Sequence, residues 1–83
     1  MAFLIVIKPS ANKDLDRIPP FRSVRIRLLC AGIARDPYGG KKLKGGHKGY
    51  YAVRAWPYRI VYRIHAPQSL VIITRIGHRQ GVY

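Results

Sequence analysis

YYAVRAWPYRIVYRIHAPQSLVIITRIGHRQGVY, residues 50–83, decides how this chain folds. Tyr50 to Ala55 alternates Tyr50, Ala52 and Arg54 against Tyr51, Val53 and Ala55, and Ala55-Trp56-Pro57-Tyr58 supplies a tight connection. Tyr58 to His65 then sets Tyr58, Ile60, Tyr62 and Ile64 on one face and Arg59, Val61, Arg63 and His65 on the other, the period of two that a strand produces. Pro67-Gln68 makes the next turn. Ser69 to Ile76 is apolar on both faces except for Thr74 and Arg75, as expected of a central strand. Three strands with connections this short run as an antiparallel meander.

Upstream of the meander, Tyr38 to Gly49 (YGGKKLKGGHKG) holds five glycines and four lysines around a lone Leu43 and reads as a mobile basic loop without regular structure. It is either a solvated connector or an arm that contacts phosphates. Its glycine pattern lacks the Gly-Lys-Ser/Thr ending of a P-loop. Phe21 to Arg35 reads as a helix that ends before Asp36-Pro37. At helical spacing Phe21, Val24, Leu28 and Ala31 share one face and Ile26, Leu29 and Ile33 another. One stripe can pack on a sheet and the second be covered by the first helix or by another chain; we expect both to be core of a helical hairpin on a sheet. Ala11 to Ile18 is a shorter helix with Leu15 and Ile18 on one side, Ser10 as its cap, and Asp14 and Asp16 near the positive end of its dipole. Pro19-Pro20 stops it. Phe3 to Ile7 is an apolar run that reads as a strand buried on both faces.

The expected architecture is therefore one α+β domain spanning residues 1–83. An N-terminal strand, a two-helix hairpin and the meander give a four-stranded twisted sheet with helices on one face and the other face open to a ligand. With 83 residues, a single two-layer core is the limit.

The charge is the compositional anomaly. Sixteen Lys and Arg against three acids give +13, and the acids, Asp14, Asp16 and Asp36, all lie in the first half. A field of one sign over so small a surface favours a polyanion, and nucleic acid is the leading partner. Cys30 is alone, so no internal disulfide forms, and no zinc spacing is present. His47, His65 and His78 are far apart in sequence. The apolar Phe3–Ile7 run is too short for a signal-peptide core or a membrane span, and a cytoplasmic location is expected, with no membrane partner.

No carboxylate side chain follows Asp36, so the open face has no Asp or Glu for acid–base work. Arginine, lysine, histidine and tyrosine remain. That set is suited to stabilising a pentacoordinate phosphorane and moving protons around a phosphodiester without metal or cofactor. The reaction that fits is attack of an RNA 2′-hydroxyl on its neighbouring phosphate, which DNA cannot undergo. Arg59, Arg79, His78 and Tyr83 are the strand and tail residues of those types that such a site could draw on. Arg54 and Arg63 on the strands, with Lys44 and Lys48 in the loop, are the candidate substrate contacts.

Tyr58-Arg59-Ile60-Val61-Tyr62-Arg63-Ile64, followed one strand later by Ile76-Gly77-His78-Arg79-Gln80-Gly81-Val82-Tyr83, resembles the C-terminal signature of the RelE family of bacterial toxins in the RelE/ParE superfamily. Asp16-Arg17-Ile18-Pro19-Pro20, Asp36-Pro37 and Lys42-Leu43-Lys44-Gly45 resemble its helix ends and loop, so the likeness covers nearly the whole chain. The resemblance implies a ribosome-dependent endoribonuclease that cuts messenger RNA in the A site and is held inactive by an antitoxin from the same operon. It further implies that Arg59 stabilises the transition state, that Arg79 grips the scissile phosphate, and that Tyr83 stacks on a base or assists proton transfer. Arg54 falls where the family often has a basic residue. Some members carry a lysine two positions before that residue, where this chain has Ala52. Its role would pass to His78, to a loop lysine such as Lys48, or to the ribosome. An acidic antitoxin is the expected partner of a +13 surface with a spare helical stripe. Two other readings stand beside this one: a DNA gyrase inhibitor from the ParE branch, and a basic RNA-binding protein without catalysis.

Overall fold

A computed structural model of the chain describes residues 2–78. Five strands form one sheet: β1 (Leu4–Ile7), β2 (Lys41–Lys42), β3 (Tyr50–Ala55), β4 (Tyr58–His65) and β5 (Leu70–His78), in the spatial order β1-β5-β4-β3-β2. The helices α1 (Pro9–Asp16) and α2 (Pro20–Arg35) follow β1. The meander from β3 to β5 is antiparallel as expected, with β3 and β4 at their anticipated bounds, and β1 lies parallel to the central β5. No helix among the described residues is long and apolar enough to cross a membrane.

The sheet has five strands rather than four. Lys41 and Lys42 pair with Ala52 and Tyr51 of β3, and 3₁₀ turns at Pro37–Gly39 and Gly45–His47 flank them. The stretch read as a mobile loop is thus partly ordered by tertiary contacts. The Tyr62 hydroxyl donates to the Pro37 carbonyl, and Leu43 N–H donates to the Tyr50 carbonyl. β1 is an edge strand rather than one buried on both faces. Ile5 and Ile7 pack on the core, whereas Leu4 and Val6 are exposed.

The helices also differ from expectation in detail. Pro9 opens α1, where its fixed φ suits the first turn and its missing N–H is no loss. Ser10 lies inside that turn and donates its hydroxyl to the Thr74 carbonyl rather than capping. Asp14 and Asp16 consequently lie in the last turn. Asp14 is drawn to β5, where it accepts from Ile76 N–H at 2.8 Å and from Arg75 Nε at 2.9 Å. β1 ends opposite Ile73, and α1 takes over the β5 edge from there. In α2, Ile26, Cys30, Ile33 and Ala34 are buried, but the Phe21, Val24, Leu28 and Ala31 stripe expected in the core faces solvent. The short α1 covers one end of the sheet and leaves the outer side of α2 unpacked.

The core lies between the helices and one sheet face, around Ile26, Ile60, Tyr62, Val71 and Ile73, all essentially inaccessible to water. Each such aliphatic residue contributes about 1.5–3 kcal/mol. A bulge sets the register here. Val61 pairs with Arg75 but Tyr62 pairs with Ile73, leaving Thr74 as the extra residue, and its hydroxyl donates to the Val61 carbonyl at 3.2 Å. Ile73 and Ile76, three apart, would point to opposite faces of a regular strand. The bulge puts both in the core and brings Gly77 opposite Arg59.

Candidate active site on the open sheet face

Arg54 of β3 stands directly across from Arg59 of β4, and Gly77 of β5 completes that row without a side chain. Opposed residues of antiparallel strands hold their Cβ atoms about 4.5–5.5 Å apart, and like charges so placed oppose folding. In the next row Lys41 faces Ala52, which faces Val61. Strand alternation therefore puts Lys41, Arg54 and Arg59 on the same face. These three, with Leu43 and Ala52, line a cleft of about 110 Å³. The two guanidiniums can take phosphate oxygens in a planar, bidentate manner, and the amine adds a third donor.

The other expected residues spread around this centre. Arg63 shares the face, opposite Tyr50 and Ile72, and lies about 13 Å along the strand from Arg59 at 3.3 Å per residue. That spacing suits a second phosphate better than the same one. Lys44 is exposed at the start of the second 3₁₀ turn. Lys48 belongs to a different cavity of about 380 Å³, formed with Tyr38, Lys42, Leu43, Tyr50, Tyr51 and Ile64. Lys42, Tyr51 and Ile64 place that cavity on the helix side of the sheet by strand alternation. His78 pairs with Tyr58 in register, and the two rings meet edge to face at 5.4 Å. Alternation along β4 and β5 puts this pair on the face opposite Arg59, beside Arg17 and Ile18. His78 is therefore not brought to the arginine cleft. Arg79 and Tyr83 lie outside the described residues.

Sequence reasoning missed Lys41. Among four lysines in a glycine-rich stretch nothing local distinguishes it, and only the pairing with Ala52 aims it at the arginines. Elsewhere, burial pushes the Cys30 thiol up, with Arg27 pulling in the opposite direction, so this cysteine is a core residue and not a thiolate nucleophile. Among the described residues no three His, Cys, Asp or Glu side chains gather where they could hold a metal ion.

The chain's likeness to known proteins extends over nearly its whole length. The profile of the ParE toxin of the type II toxin–antitoxin system parDE matches residues 5–83. The putative toxin RelE1 of Methanocaldococcus jannaschii is 30% identical over 88 residues, covering 100% of this chain and 97% of that protein. Toxin RelG of Mycobacterium tuberculosis is 28% identical over 85 residues, covering 100% and 98%. In three dimensions the chain is similar to one in the toxin–antitoxin complex RelBE2 from M. tuberculosis, with a TM-score of 0.88, 27% identity, and coverage of 95% of this chain and 100% of that one. A chain of the archaeal RelE–RelB complex from Pyrococcus horikoshii shares the fold, with a TM-score of 0.81, 20% identity, and coverage of 96% and 98%.

Proposed function

The chain belongs to the ParE toxin family of type II toxin–antitoxin systems, and from that premise we propose that it is a ribosome-dependent messenger RNA endoribonuclease that arrests translation. The observation that carries this reading is the cross-strand pair Arg54 and Arg59 on a face open to ligand. Two opposed guanidiniums can both donate to a phosphorane, whose charge grows as the RNA 2′-oxygen attacks phosphorus. Differential stabilisation of that kind accelerates a reaction, where equal grip on substrate and transition state would not.

In this mechanism Arg59 and Arg54 embrace the scissile phosphate. Arg63 takes a neighbouring phosphate along β4, and the exposed loop lysine Lys44 holds a more distant one. Arg79, two residues beyond Gly77, reaches the same phosphate from the tail, and Tyr83 stacks on a base. His78, held against the Tyr58 ring on the other face, takes no part in gripping this phosphate. The ribosome supplies the message in a fixed conformation, which is the entropic part of the catalysis. Such a substrate places the protein in the cytoplasm.

The inhibitory partner is an acidic antitoxin, a reading supported by the RelBE toxin–antitoxin complexes among the similar structures. Its docking surface includes the outer face of α2. There Phe21, Val24 and Leu28 stand exposed with Ala31 and Gly32 beyond them, and Arg25, Arg27 and Arg35 flank the stripe. α2 carries four arginines and no acid. A second copy of this chain would therefore set arginine against arginine, while an acidic amphipathic helix complements both the apolar stripe and its border.

The reading is tested on translating ribosomes programmed with a defined message. Wild type is expected to produce new 5′ ends inside the open reading frame. Arg59→Ala and Arg54→Ala, both on a solvent-facing surface, are expected to lose about 100-fold or more of that activity with their folding unchanged. Growth arrest with intact messages and lost supercoiling would move the assignment to the gyrase-inhibiting branch, and absence of arrest would leave an RNA-binding protein.

A further inference from the structure

We infer that Lys41 is the proton donor of the arginine cleft, its ammonium protonating the 5′-oxygen that leaves when RNA is cut. The inference rests on the ribonuclease reading above and adds to it the group that completes the chemistry. Of the five described residues lining the cleft, Leu43 and Ala52 are apolar, and Arg54 and Arg59 carry guanidiniums, groups suited to holding phosphate oxygens rather than to giving up a proton. Lys41 is the remaining one and can exchange a proton. The other titratable candidates are placed elsewhere among the described residues. His78 meets Tyr58 on the opposite face, the Tyr62 hydroxyl is buried on Pro37, Cys30 is in the core, and Asp14 is engaged by Arg75 and Ile76 at the β5 edge.

The fold aims Lys41 deliberately. Its strand is only two residues long, and alternation sends Lys42 to the helix side with Tyr51 while Lys41 faces Ala52. Ala52 is small enough for the lysine stem to cross it toward Arg54 and Arg59. Gly40, immediately before, is held against the Tyr62 hydroxyl. Lys41 thus has a fixed register in a stretch whose composition suggests none.

A lysine is an ammonium at neutral pH, so its ready contribution is a proton to give. The 2′-oxygen forms a bond to phosphorus and releases its proton to solvent. The bond from phosphorus to the 5′-oxygen breaks, and its electron pair takes a proton from Lys41 Nζ, which solvent then restores. The products are a 2′,3′-cyclic phosphate and a 5′-hydroxyl, and no oxidant or metal is consumed.

The test is single-turnover cleavage on translating ribosomes with two messages, one normal and one carrying sulfur in place of the 5′-oxygen at the scissile position. A thiolate leaves without needing a proton. Lys41→Ala is expected to slow cleavage of the oxygen substrate by about 100-fold and to cut the sulfur substrate near the wild-type rate. Lys41→Arg keeps the charge but gives up no proton, and it is expected to show the same split. Lys41→Ala combined with Ala52→Lys returns an amine to the cleft and should recover much of the rate. Equal deficits on both substrates, an active Lys41→Arg, or a Lys41→Ala that cuts normally would each overturn the inference while leaving the ribonuclease reading intact. Wild type that cuts neither message overturns the ribonuclease reading itself.

Discussion

The Tyr62 hydroxyl donates to the Pro37 carbonyl at 2.7 Å, tying the middle of β4 to the turn that leads into β2. Tyr62 is completely buried and stacks on Tyr51, with ring centroids 5.6 Å apart. Burial pushes its hydroxyl above the ordinary tyrosine value of 10, and a hydrogen bond from the Gly40 backbone pulls the other way. The folded state therefore holds this proton more tightly than the unfolded chain does. The resulting stability is complete below about pH 10 and declines as pH rises from there through the raised folded value. Tyr62→Phe is expected to lose about 1–2 kcal/mol at pH 7 and to show a flatter decline on the alkaline side. Urea denaturation of both proteins between pH 7 and 11 measures the two effects together.

Gly40 has no room for a side chain. A Cβ there would strike the Tyr62 hydroxyl and come within 3.1 Å of its ring and 3.3 Å of the Ala52 carbonyl. Its φ of −73° is open to any residue, so the constraint is space and not backbone conformation. Gly40→Ala is expected to cost about 1–3 kcal/mol and to shift Lys41 away from the arginines, lowering cleavage. Gly46 would have nothing within 4 Å of a Cβ, and Gly46→Ala should leave stability and activity as they are. Thermal melts and cleavage assays on the pair separate this contact from a general effect of replacing glycine.

Asp14 satisfies the Ile76 N–H that β1 leaves unpaired when it gives way to α1. Its bonds to Arg75 join a side chain that is 49% exposed, so the ion pair adds little and the backbone bond carries most of the effect. Asp14→Ala should cost about 1–3 kcal/mol by leaving the amide without an acceptor. Asp14→Asn keeps an acceptor oxygen and should cost clearly less. Amide hydrogen exchange from Ile76 to His78 is expected to accelerate in the alanine variant, and comparable losses in both variants would assign the effect to charge.

Much of this fold is written in local pattern. The alternation from Tyr50 to His65 sets the β3–β4 hairpin to the residue, and Arg54 and Arg59 are already on one face in that reading. What could not be read depends on residues distant in sequence. The strand at Lys41–Lys42 exists because Tyr62 and Ala52 receive it, and glycine and lysine alone predict only a loop. The bulge at Thr74, which decides that Ile76 is core and Gly77 faces Arg59, leaves no local mark in an apolar run. His78 shows the same limit: its residue type grouped it with Arg59, yet its register opposite Tyr58 puts it on the other face. In α2 two apolar stripes were visible, but their order of burial depends on how far the short α1 reaches.

The outer stripe of α2 yields the remaining prediction. From Phe21 to Gly32 it runs about 16 Å at 1.5 Å per residue, the length of three turns, and Ala31 and Gly32 at its far end let another backbone approach closely. Phe21 also joins Trp56, Arg22 and Arg25 around a cleft of about 160 Å³ next to the β3–β4 turn, a place for one apolar anchor. Val24→Glu and Leu28→Glu alter side chains that are 58% and 69% exposed, so both variants should fold normally. Each is expected to weaken the complex with the protein encoded by the adjacent reading frame by about 30-fold or more, the scale of a central interface contact. Arg25→Ala with Arg35→Ala should mainly slow association and reduce its salt dependence. Cleavage of messages by the free variants should remain at the wild-type rate, because the stripe lies on the helix layer and the arginine cleft on the opposite sheet face. Unchanged affinity in both glutamate variants would place the antitoxin elsewhere. Retained affinity with weakened ribosome binding would assign the stripe to the ribosome instead.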